Sequence, residues 1–221
     1  PVKQEQLTSY EVGAKFAAFD RTLRVNSSVF FYDYKDKQVY TYFPLPAPLA
    51  GVSSFISNVP KSEIRGFDVD ASWTPTRHFT LRGAVTYLDS EAKAFAAFDG
   101  NGVIVEANGK DLPFAPKWSG NVDAEYRMDL NDALEAYVGG SVNYTDSSFQ
   151  DLAEQPKGFL PSYTTIDLRL GVNATAGWNI GIFGRNITDK DYWTSSFKAG
   201  DEYSRYMGTP RTYGVVAGYR F

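Results

Sequence analysis

Apolar and polar residues alternate along most of this chain with a period of two. Between Ile166 and Val172 every second residue is apolar, whereas Asp167 and Arg169 stand between them. Successive side chains of a β-strand point to opposite faces, so this pattern predicts a strand with one apolar and one polar face. The same alternation predicts about nine strands, in residues 10–16, 23–31, 67–73, 81–87, 118–128, 134–144, 166–172, 178–182 and 213–221.

The connections between the predicted strands alternate in length. Outer-membrane barrels have short turns on one side of the membrane and long loops on the other, so this alternation is typical of them. The strands are also long enough to cross a hydrocarbon layer when tilted. Short connections lie near 18–21, 74–78, 129–132 and 174–177, and long ones near 36–61, 89–116, 147–161 and 189–209.

Aromatic residues gather near the ends of the predicted strands, as in the two aromatic girdles of a membrane barrel. We therefore predict an all-β fold, a transmembrane antiparallel β-barrel. A soluble β-sheet binding module is the alternative, because a soluble sheet can also be apolar on one face and polar on the other. The aromatic residues in question are Tyr10, Trp73, Tyr87, Trp118, Tyr144, Trp178 and Tyr213.

Composition excludes several kinds of chemistry. The chain has 43% hydrophobic and 16% aromatic residues, which indicates a folded domain. It has no cysteine, so it can form neither disulfides nor thiolate metal sites. Its net charge of -4 argues against a nucleic-acid partner. The one histidine, His78, lies in a short turn and is interpreted as a surface residue. We expect no enzyme activity, no cofactor and no metal site.

The predicted strand count is odd. An odd set cannot close as a simple antiparallel barrel, and bacterial single-chain barrels have even strand numbers. We therefore expect at least one further strand before Pro1. Residues 1–221 would then form the C-terminal part of one transmembrane β-barrel domain.

Five stretches, in the same order along the chain, resemble motifs from the C-terminal half of TonB-dependent outer-membrane receptors. Each motif is weak alone, but together they cover essentially the whole chain. The stretches are SYEVGAK at 9–15 followed by 23–36, SEIRGFDVD at 62–70, LPFAPKW at 112–118, GRNITDKDY at 184–192, and 208–221, which includes GTPRTYG and ends in YRF.

The resemblance implies a barrel of about 22 strands with a plugged lumen, of which this chain would supply roughly the last nine. The plug domain, the TonB box and the earlier strands are expected outside these residues. The implied function is TonB-dependent uptake of a scarce nutrient across the outer membrane, most readily a ferric siderophore or a similar iron complex. The implied partners are outer-membrane lipid, the small-molecule nutrient, TonB acting through the plug, and the barrel assembly machinery. A porin or adhesin-like barrel without a plug is the alternative.

Charged residues on the polar faces are the first group of candidate site residues. Asp68 and Asp70, like Asp123 and Glu125, are two residues apart, so each pair shares one strand face. General acid–base chemistry is conceivable there. The resemblance favours charges that face the lumen and pair with arginines around a plug. The predicted lumen-facing residues are Asp68, Asp70, Arg82, Asp123, Glu125, Arg127, Asp167, Arg169 and Arg185.

Aromatic residues in the long connections are the candidate ligand contacts, because aromatic faces stack on flat ligands and sugars. Tyr219 and Phe221 keep the aromatic ending of an outer-membrane assembly signal, although Val216 stands where a glycine is common. The candidate ligand contacts are Tyr40, Tyr42, Phe43, Phe95, Phe98, Phe149, Trp193, Phe197, Tyr203 and Tyr206.

Overall fold

A computed structural model describes residues 2–46, 48–49, 51–93, 95–199 and 202–220, with only the backbone for Ala199. Its main feature is one nine-stranded antiparallel sheet, in which each strand pairs with the next long strand of the chain. The prediction of about nine strands is confirmed. The strands are β1 (Gln6–Ala18), β2 (Leu23–Pro44), β3 (Val52–Thr76), β4 (Phe79–Lys93), β7 (Trp118–Asn131), β8 (Leu134–Thr145), β11 (Tyr163–Ala174), β12 (Trp178–Arg185) and β15 (Thr212–Tyr219).

The apolar face of this sheet is exposed. Leu168 and Leu170 are each 51% exposed, and Val12 is 74% exposed. A soluble sheet would bury such residues against another layer, whereas a membrane strand presents them to lipid. The exposed face therefore supports the transmembrane barrel and opposes the soluble module. Within the described residues, no helix is long and apolar enough to cross a bilayer.

Aromatic rings on the apolar face pack together across three adjacent strands, below the outer extensions of β2 and β3. Phe67, Tyr87 and Trp118 lie on adjacent strands, with 5.7 Å between the ring centroids of Phe67 and Tyr87 and 4.7 Å between those of Tyr87 and Trp118. Cross-strand aromatic pairs of this kind stabilise a sheet and suit the boundary between lipid and water. We call these three residues the aromatic girdle.

The alternation of short turns and long connections is confirmed, but one connection is shorter than expected. The expected loop at 36–61 is mostly paired strand, because β2 runs to Pro44 and β3 begins at Val52. The alternation of polarity fades there, while the backbone ladder continues from Lys37 opposite Val59 to Pro44 opposite Val52. A ladder needs only paired backbone groups, so polarity alone did not show its length.

The other long connections contain short hairpins of their own. These elements are the strands β5 (Ala96–Phe98), β6 (Ile104–Glu106), β9 (Ser148–Phe149), β10 (Phe159–Leu160), β13 (Trp193–Ala199) and β14 (Glu202–Met207), and the 3₁₀ turn Pro156–Gly158.

The hydrophobic core lies at the outer ends of β2, β3 and β4, where two long connections cover the sheet. Val59 of β3 and Ala92 of β4 are fully buried there, and Leu112 and Leu152 join them from the connections after β4 and β8. The Ser90 hydroxyl accepts a hydrogen bond from the Leu112 backbone N–H at 3.0 Å. These contacts join the outer ends of the strands and the two connections into one packed unit.

Replacing Leu168 by Arg tests which solvent the apolar face meets. A cation near the middle of a bilayer should lower the free energy of unfolding by about 2–4 kcal/mol. The measurement is denaturant unfolding of the whole protein in lipid vesicles. Asn121 faces the other side of the sheet, opposite Asn143, so Asn121→Arg is the control and should change the free energy of unfolding by less than about 0.5 kcal/mol. If Leu168→Arg, like the control, leaves the free energy of unfolding almost unchanged, the apolar face lies in water.

Candidate functional site

The polar face of the sheet carries an ion-pair network centred on Arg169. Its guanidinium donates to both carboxylate oxygens of Asp123, at 2.6 and 2.9 Å, and to Glu125 at 3.0 Å. Two parallel N–H···O bonds to one carboxylate fix geometry as well as charge. Arg169 on β11 thereby holds two carboxylates of β7, across the intervening strand β8. The polar-face network consists of Asp123, Glu125, Arg127, Glu135 and Arg169.

Arg127 extends this network to the neighbouring strand. It donates to Glu125 at 2.9 Å and to Glu135 at 3.0 Å. Glu125 therefore lies between two guanidinium groups, and Arg82 approaches Asp123 to 4.0 Å on the far side. A row of alternating charges results, in which each carboxylate has a cationic neighbour.

Glycines on the polar face make room for this network. Gly139 lies between Glu125 and Arg169 in the strand register. A Cβ atom at Gly139 would lie 2.9 Å from the Arg169 guanidinium carbon, so a larger residue would displace the side chain. Similarly, the Tyr137 hydroxyl lies over Gly171 and Gly181. Beside these residues is a concavity of about 320 Å³ lined by Tyr137, Arg169, Phe183 and Arg185, among others.

The remaining predicted charges take other partners. Asp68 accepts a hydrogen bond from the Thr86 hydroxyl at 2.6 Å, and Asp70 accepts one from the Asn26 amide at 2.8 Å. Asp167 accepts the Asn186 backbone N–H at 2.8 Å, and Arg185 lies 5.1 Å from the Phe183 ring centroid. The expected pairing with arginines is thus found for Asp123 and Glu125 but not for Asp68 and Asp70, whose direct cross-strand neighbours are neutral.

Outside the membrane-spanning part, residues of three connections and of the outer end of β2 meet at a second polar cluster. The Lys198 ammonium donates to the Gly100 carbonyl and lies 5.9 Å from the Tyr42 ring centroid and 5.8 Å from that of Tyr203. The Tyr203 hydroxyl donates to Gln155 at 2.5 Å, and Gln155 donates to Asp99 at 2.8 Å. We call Tyr42, Asp99, Gln155, Lys198 and Tyr203 the loop junction.

Burial and nearby charge keep the phenols of the loop junction neutral. Tyr42 is only 9% exposed. Loss of solvent, followed by the charge of Asp151, raises the pKa of Tyr42 to about 12. Burial also raises the pKa of Tyr203, with further contributions from Asp151 and Asp99. Both phenols therefore stay protonated over the whole physiological pH range, and the Tyr203 hydroxyl remains the donor to Gln155.

The ten predicted ligand contacts divide by exposure. Tyr42 is buried in the loop junction, Phe95 packs against the hydrophobic core, and the Phe149 ring lies 5.2 Å from that of Phe159. Tyr40, Phe197 and Tyr206 are exposed, while Phe43, Phe95, Phe98, Phe149, Trp193 and Tyr203 are partly buried.

The exposed candidates Phe197 and Tyr206 form part of one aromatic surface. They pair across the β13–β14 hairpin with 5.7 Å between ring centroids. The Arg205 guanidinium stacks 3.6 Å from the Trp193 ring centroid. Arg205 stands next to Tyr206 in β14, so it lies on the opposite face of the hairpin from Tyr206 and Phe197. We call Phe197 and Tyr206 the hairpin platform, which offers exposed aromatic faces to a ligand.

Three further sequence interpretations concern the aromatic ending, the histidine and metal binding. Tyr219, at the end of β15, is exposed and pairs in register with Trp178, while Phe221 lies outside the described residues. His78 lies in a short turn, where its Nε2 accepts a hydrogen bond from Arg77 at 2.9 Å. The described residues contain no group of three or more His, Cys, Asp or Glu side chains that could hold a metal ion.

Sequence reasoning missed several residues that the structure brings into these clusters. Glu135 and Tyr137 alternate correctly for the polar face of β8, so the period of two could have found them. Gln155 and Asp99 lie in irregular segments, and Lys198 lies in the short strand β13 of a long connection, where periodicity gave no signal. Lys198 and Gly100 are 98 residues apart in sequence, and only the folded connections bring them together.

Comparison with known families matches most of the chain. A model of a β-barrel family, described as TonB dependent receptor-like, matches residues 1–187. Among curated relatives, the metal-pseudopaline receptor CntO of Pseudomonas aeruginosa is 30% identical over 198 residues, which are 87% of this chain and 25% of the relative. The ferrichrome outer membrane transporter/phage receptor of Escherichia coli is 27% identical over 221 residues, covering 96% of this chain and 26% of the relative.

Solved structures agree on the fold. The ferric yersiniabactin uptake receptor FyuA of Yersinia pestis superposes with a TM-score of 0.76 at 20% identity, covering 97% of this chain and 30% of that one. The siderophore receptor PiuA of Acinetobacter baumannii gives a TM-score of 0.71 at 23% identity, covering 96% of this chain and 28% of that one. The chain thus spans about a quarter to a third of the length of the proteins it matches.

Arg169→Gln tests whether the polar-face network stabilises the wall. It leaves Asp123 and Glu125 without their main cation, so the free energy of unfolding should fall by about 1–3 kcal/mol, the range for hydrogen bonds to charged groups with partial solvent screening. Arg185→Gln is the matched control, because Arg185 makes no ion pair among the described residues. Denaturant unfolding in vesicles measures both variants, and an equal loss would remove the special role of Arg169.

The raised pKa of Tyr42 predicts a pH limit for the loop junction. The folded state favours the neutral phenol. Its contribution to the free energy of unfolding is therefore complete below about pH 10, the pKa in the unfolded chain, and is lost as the pH rises through about 12. Absorbance titration should show a tyrosinate component near pH 12 that disappears in Tyr42→Phe and in the unfolded protein. Its survival in Tyr42→Phe would contradict the assignment.

Proposed function

Since the chain belongs to the TonB-dependent receptor β-barrel family, we propose that it forms the C-terminal part of an outer-membrane receptor that imports a scarce nutrient. The observation that carries the proposal is the two-sided wall, with an exposed apolar face and an ion-paired polar face. Charged residues facing hydrocarbon would be costly, so the polar face belongs to an enclosed interior. The whole family match lies on this wall and its connections.

The length of the relatives supports the domain organisation that we propose. The matched relatives are about four times longer than the aligned region. We place the remaining strands and a plug domain in the part of the receptor beyond these residues. In this arrangement the polar-face network lines the lumen and contacts the plug. Because its carboxylates are held by arginines, the network presents a rigid surface to the plug. Asp68 and Asp70, which pair with no arginine among the described residues, are the wall charges best able to meet cationic plug residues.

The proposed cargo is a metal chelate, most readily a ferric siderophore. The relatives include proteins named as siderophore, metal-pseudopaline and ferrichrome receptors. The hairpin platform suits such a ligand, because Phe197 and Tyr206 offer exposed aromatic faces on one side of the hairpin. A flat chelate would stack on these rings. Buried Tyr42 instead supports the connections from beneath.

In the proposed transport, ligand binding at the outward-facing end is coupled to the plug. The chelate binds among the long connections and the plug, and TonB then draws on the plug with energy from the inner membrane. The loop junction links the outer end of β2 with the connections after β4, β8 and β12 through the contacts of Lys198 and Gln155. Tyr219 would serve the barrel assembly machinery through the exposed end of the last strand. The role of the chain itself is to hold the wall and to present the ligand-binding surface.

Uptake of iron-55 chelates by cells with this receptor as their sole route tests the proposal. Uptake should fall to background in cells that lack TonB, because transport needs the energy TonB supplies. Growth under iron limitation gives an independent readout. Undiminished uptake without TonB would instead indicate a passive, porin-like barrel.

The double variant Phe197→Ala/Tyr206→Ala tests the hairpin platform. Loss of two aromatic contacts of about 0.5–1.5 kcal/mol each should weaken chelate binding roughly 5- to 100-fold. Equilibrium binding of the radiolabelled chelate to outer membranes provides the measurement. Phe19→Ala is the control, since Phe19 is an exposed aromatic in the short turn at the opposite end. If the two proteins bind alike, the ligand lies elsewhere among the connections.

A further inference from the structure

Charged residues form three cross-strand rows on the outer side of β2, β3 and β4, beyond the aromatic girdle. Arg65 lies opposite Asp89 in the row nearest the girdle. The next row consists of Asp33, Glu63 and Glu91, and the outermost row consists of Lys35, Lys61 and Lys93. We call the last set the lysine row and the one below it the acid row.

The rows lie on the same face as the lipid-facing residues. The pairing of β3 with β4 continues without a register shift from Lys61 to Trp73. Side chains alternate strictly along an unbroken strand, so Lys61, Glu63 and Arg65 share the face of Phe67 and Trp73.

The opposite face at this height is closed. Ser62 and Ala92 are fully buried, and Ser90 is 2% exposed, because the connection after β4 packs over them. The charged rows therefore point away from this packed cluster and from the interior, toward whatever surrounds the barrel. At the β4 edge, Asp89 also lies 4.0 Å from Lys117 of the connection after β4.

The height of the rows above the aromatic girdle can be derived from the geometry of a tilted strand. Each row lies two residues further along its strand, about 7 Å, which a tilt near 45° reduces to about 5 Å of height. The lysine row, three steps beyond Phe67, therefore stands about 15 Å above the girdle. The polar layer of an ordinary phospholipid bilayer is only about 5–8 Å deep on each side. The lysine row thus requires a taller anionic layer if lipid is to reach it.

The lysines keep charge available to such a layer. Lys61 pairs with Glu63 at 2.8 Å, yet its side chain remains 51% exposed. Lys93 contacts both Glu63 and Glu91. Lys35 is exposed and has no ion-pair partner among the described residues. The acid row holds two ammonium groups at fixed positions without covering them, so a phosphate can approach from outside.

We propose that the lysine row binds phosphate groups of the phosphorylated saccharide lipids in the outer leaflet of the outer membrane. A lysine acts on phosphate as a point charge, and basic residues next to a membrane attract anionic headgroups. The lipid contact is direct, from ammonium to phosphate, and the acid row competes with the lipid for Lys61 and Lys93. This site depends on the membrane location of the wall and is independent of the imported cargo.

Anisotropy of fluorescent lipopolysaccharide, titrated with the detergent-solubilised receptor in the presence of a chelator of divalent cations, tests the proposal. The variant Lys35→Gln/Lys61→Gln/Lys93→Gln should bind roughly 10- to 100-fold more weakly than the unaltered receptor. Enzymatically dephosphorylated lipopolysaccharide should bind the unaltered receptor as weakly as the lipopolysaccharide binds the variant. Inorganic phosphate at matched concentration should not compete, because it lacks the acyl chains that rest on the apolar face.

A matched control removes the same number of charges elsewhere. Lys15→Gln/Lys157→Gln/Lys190→Gln alters the polar face and two connections, and should leave lipopolysaccharide affinity unchanged. Neutralising the acid row with Asp33→Asn/Glu63→Gln/Glu91→Gln should strengthen binding, since the lysines lose their competitors. The heat-dependent electrophoretic migration of folded barrels verifies folding of each variant. Equal affinity of the lysine-row variant and the control, loss of binding in the chelator, or weaker binding by the acid-row variant would each overturn the proposal.

Discussion

The constraint on which this structure depends is the absence of water within a bilayer. Every backbone N–H and C=O group in the hydrocarbon must find a partner in the protein, because an unpaired group costs several kcal/mol. Long strands paired to both neighbours meet this requirement. The register between β8 and β11 accordingly runs unbroken from Tyr163 to Ala174. Because such strands alternate side chains between two faces, the same constraint divides the wall into an apolar side and a polar side.

The polar side shows how charges are kept in a wall that has no core of its own. Arg169 reaches across Gly139 to Asp123 and Glu125, and Arg127 continues the row to Glu135. The glycine leaves space for an extended guanidinium to lie flat on the sheet. The absence of a side chain at Gly139 therefore allows Arg169 to lie close to the backbone and to compensate the two carboxylates.

Beyond the membrane the constraint relaxes, and the chain folds like a soluble protein. The long connections bury a hydrophobic cluster around Val59 and Leu152, and they meet at the loop junction around Lys198. The ligand-binding surface we propose is thus supported by an ordinary packed core. The outward rows on β2–β4 continue the wall itself, so the strands that cross the membrane also carry charges into the layer above it.

The sequence by itself determined the strands, their number, the division into apolar and polar faces, and the family, since the period of two and short motifs are local properties. It also identified Asp123, Glu125 and Arg169 as residues of one face. The tertiary structure alone decided that β2 and β3 extend to Pro44 and Val52, that Arg169 rather than Arg185 holds the carboxylates, and that Tyr42 is buried while Tyr206 is exposed. These outcomes depend on register and on contacts between distant segments, which the polarity of neighbouring residues does not encode.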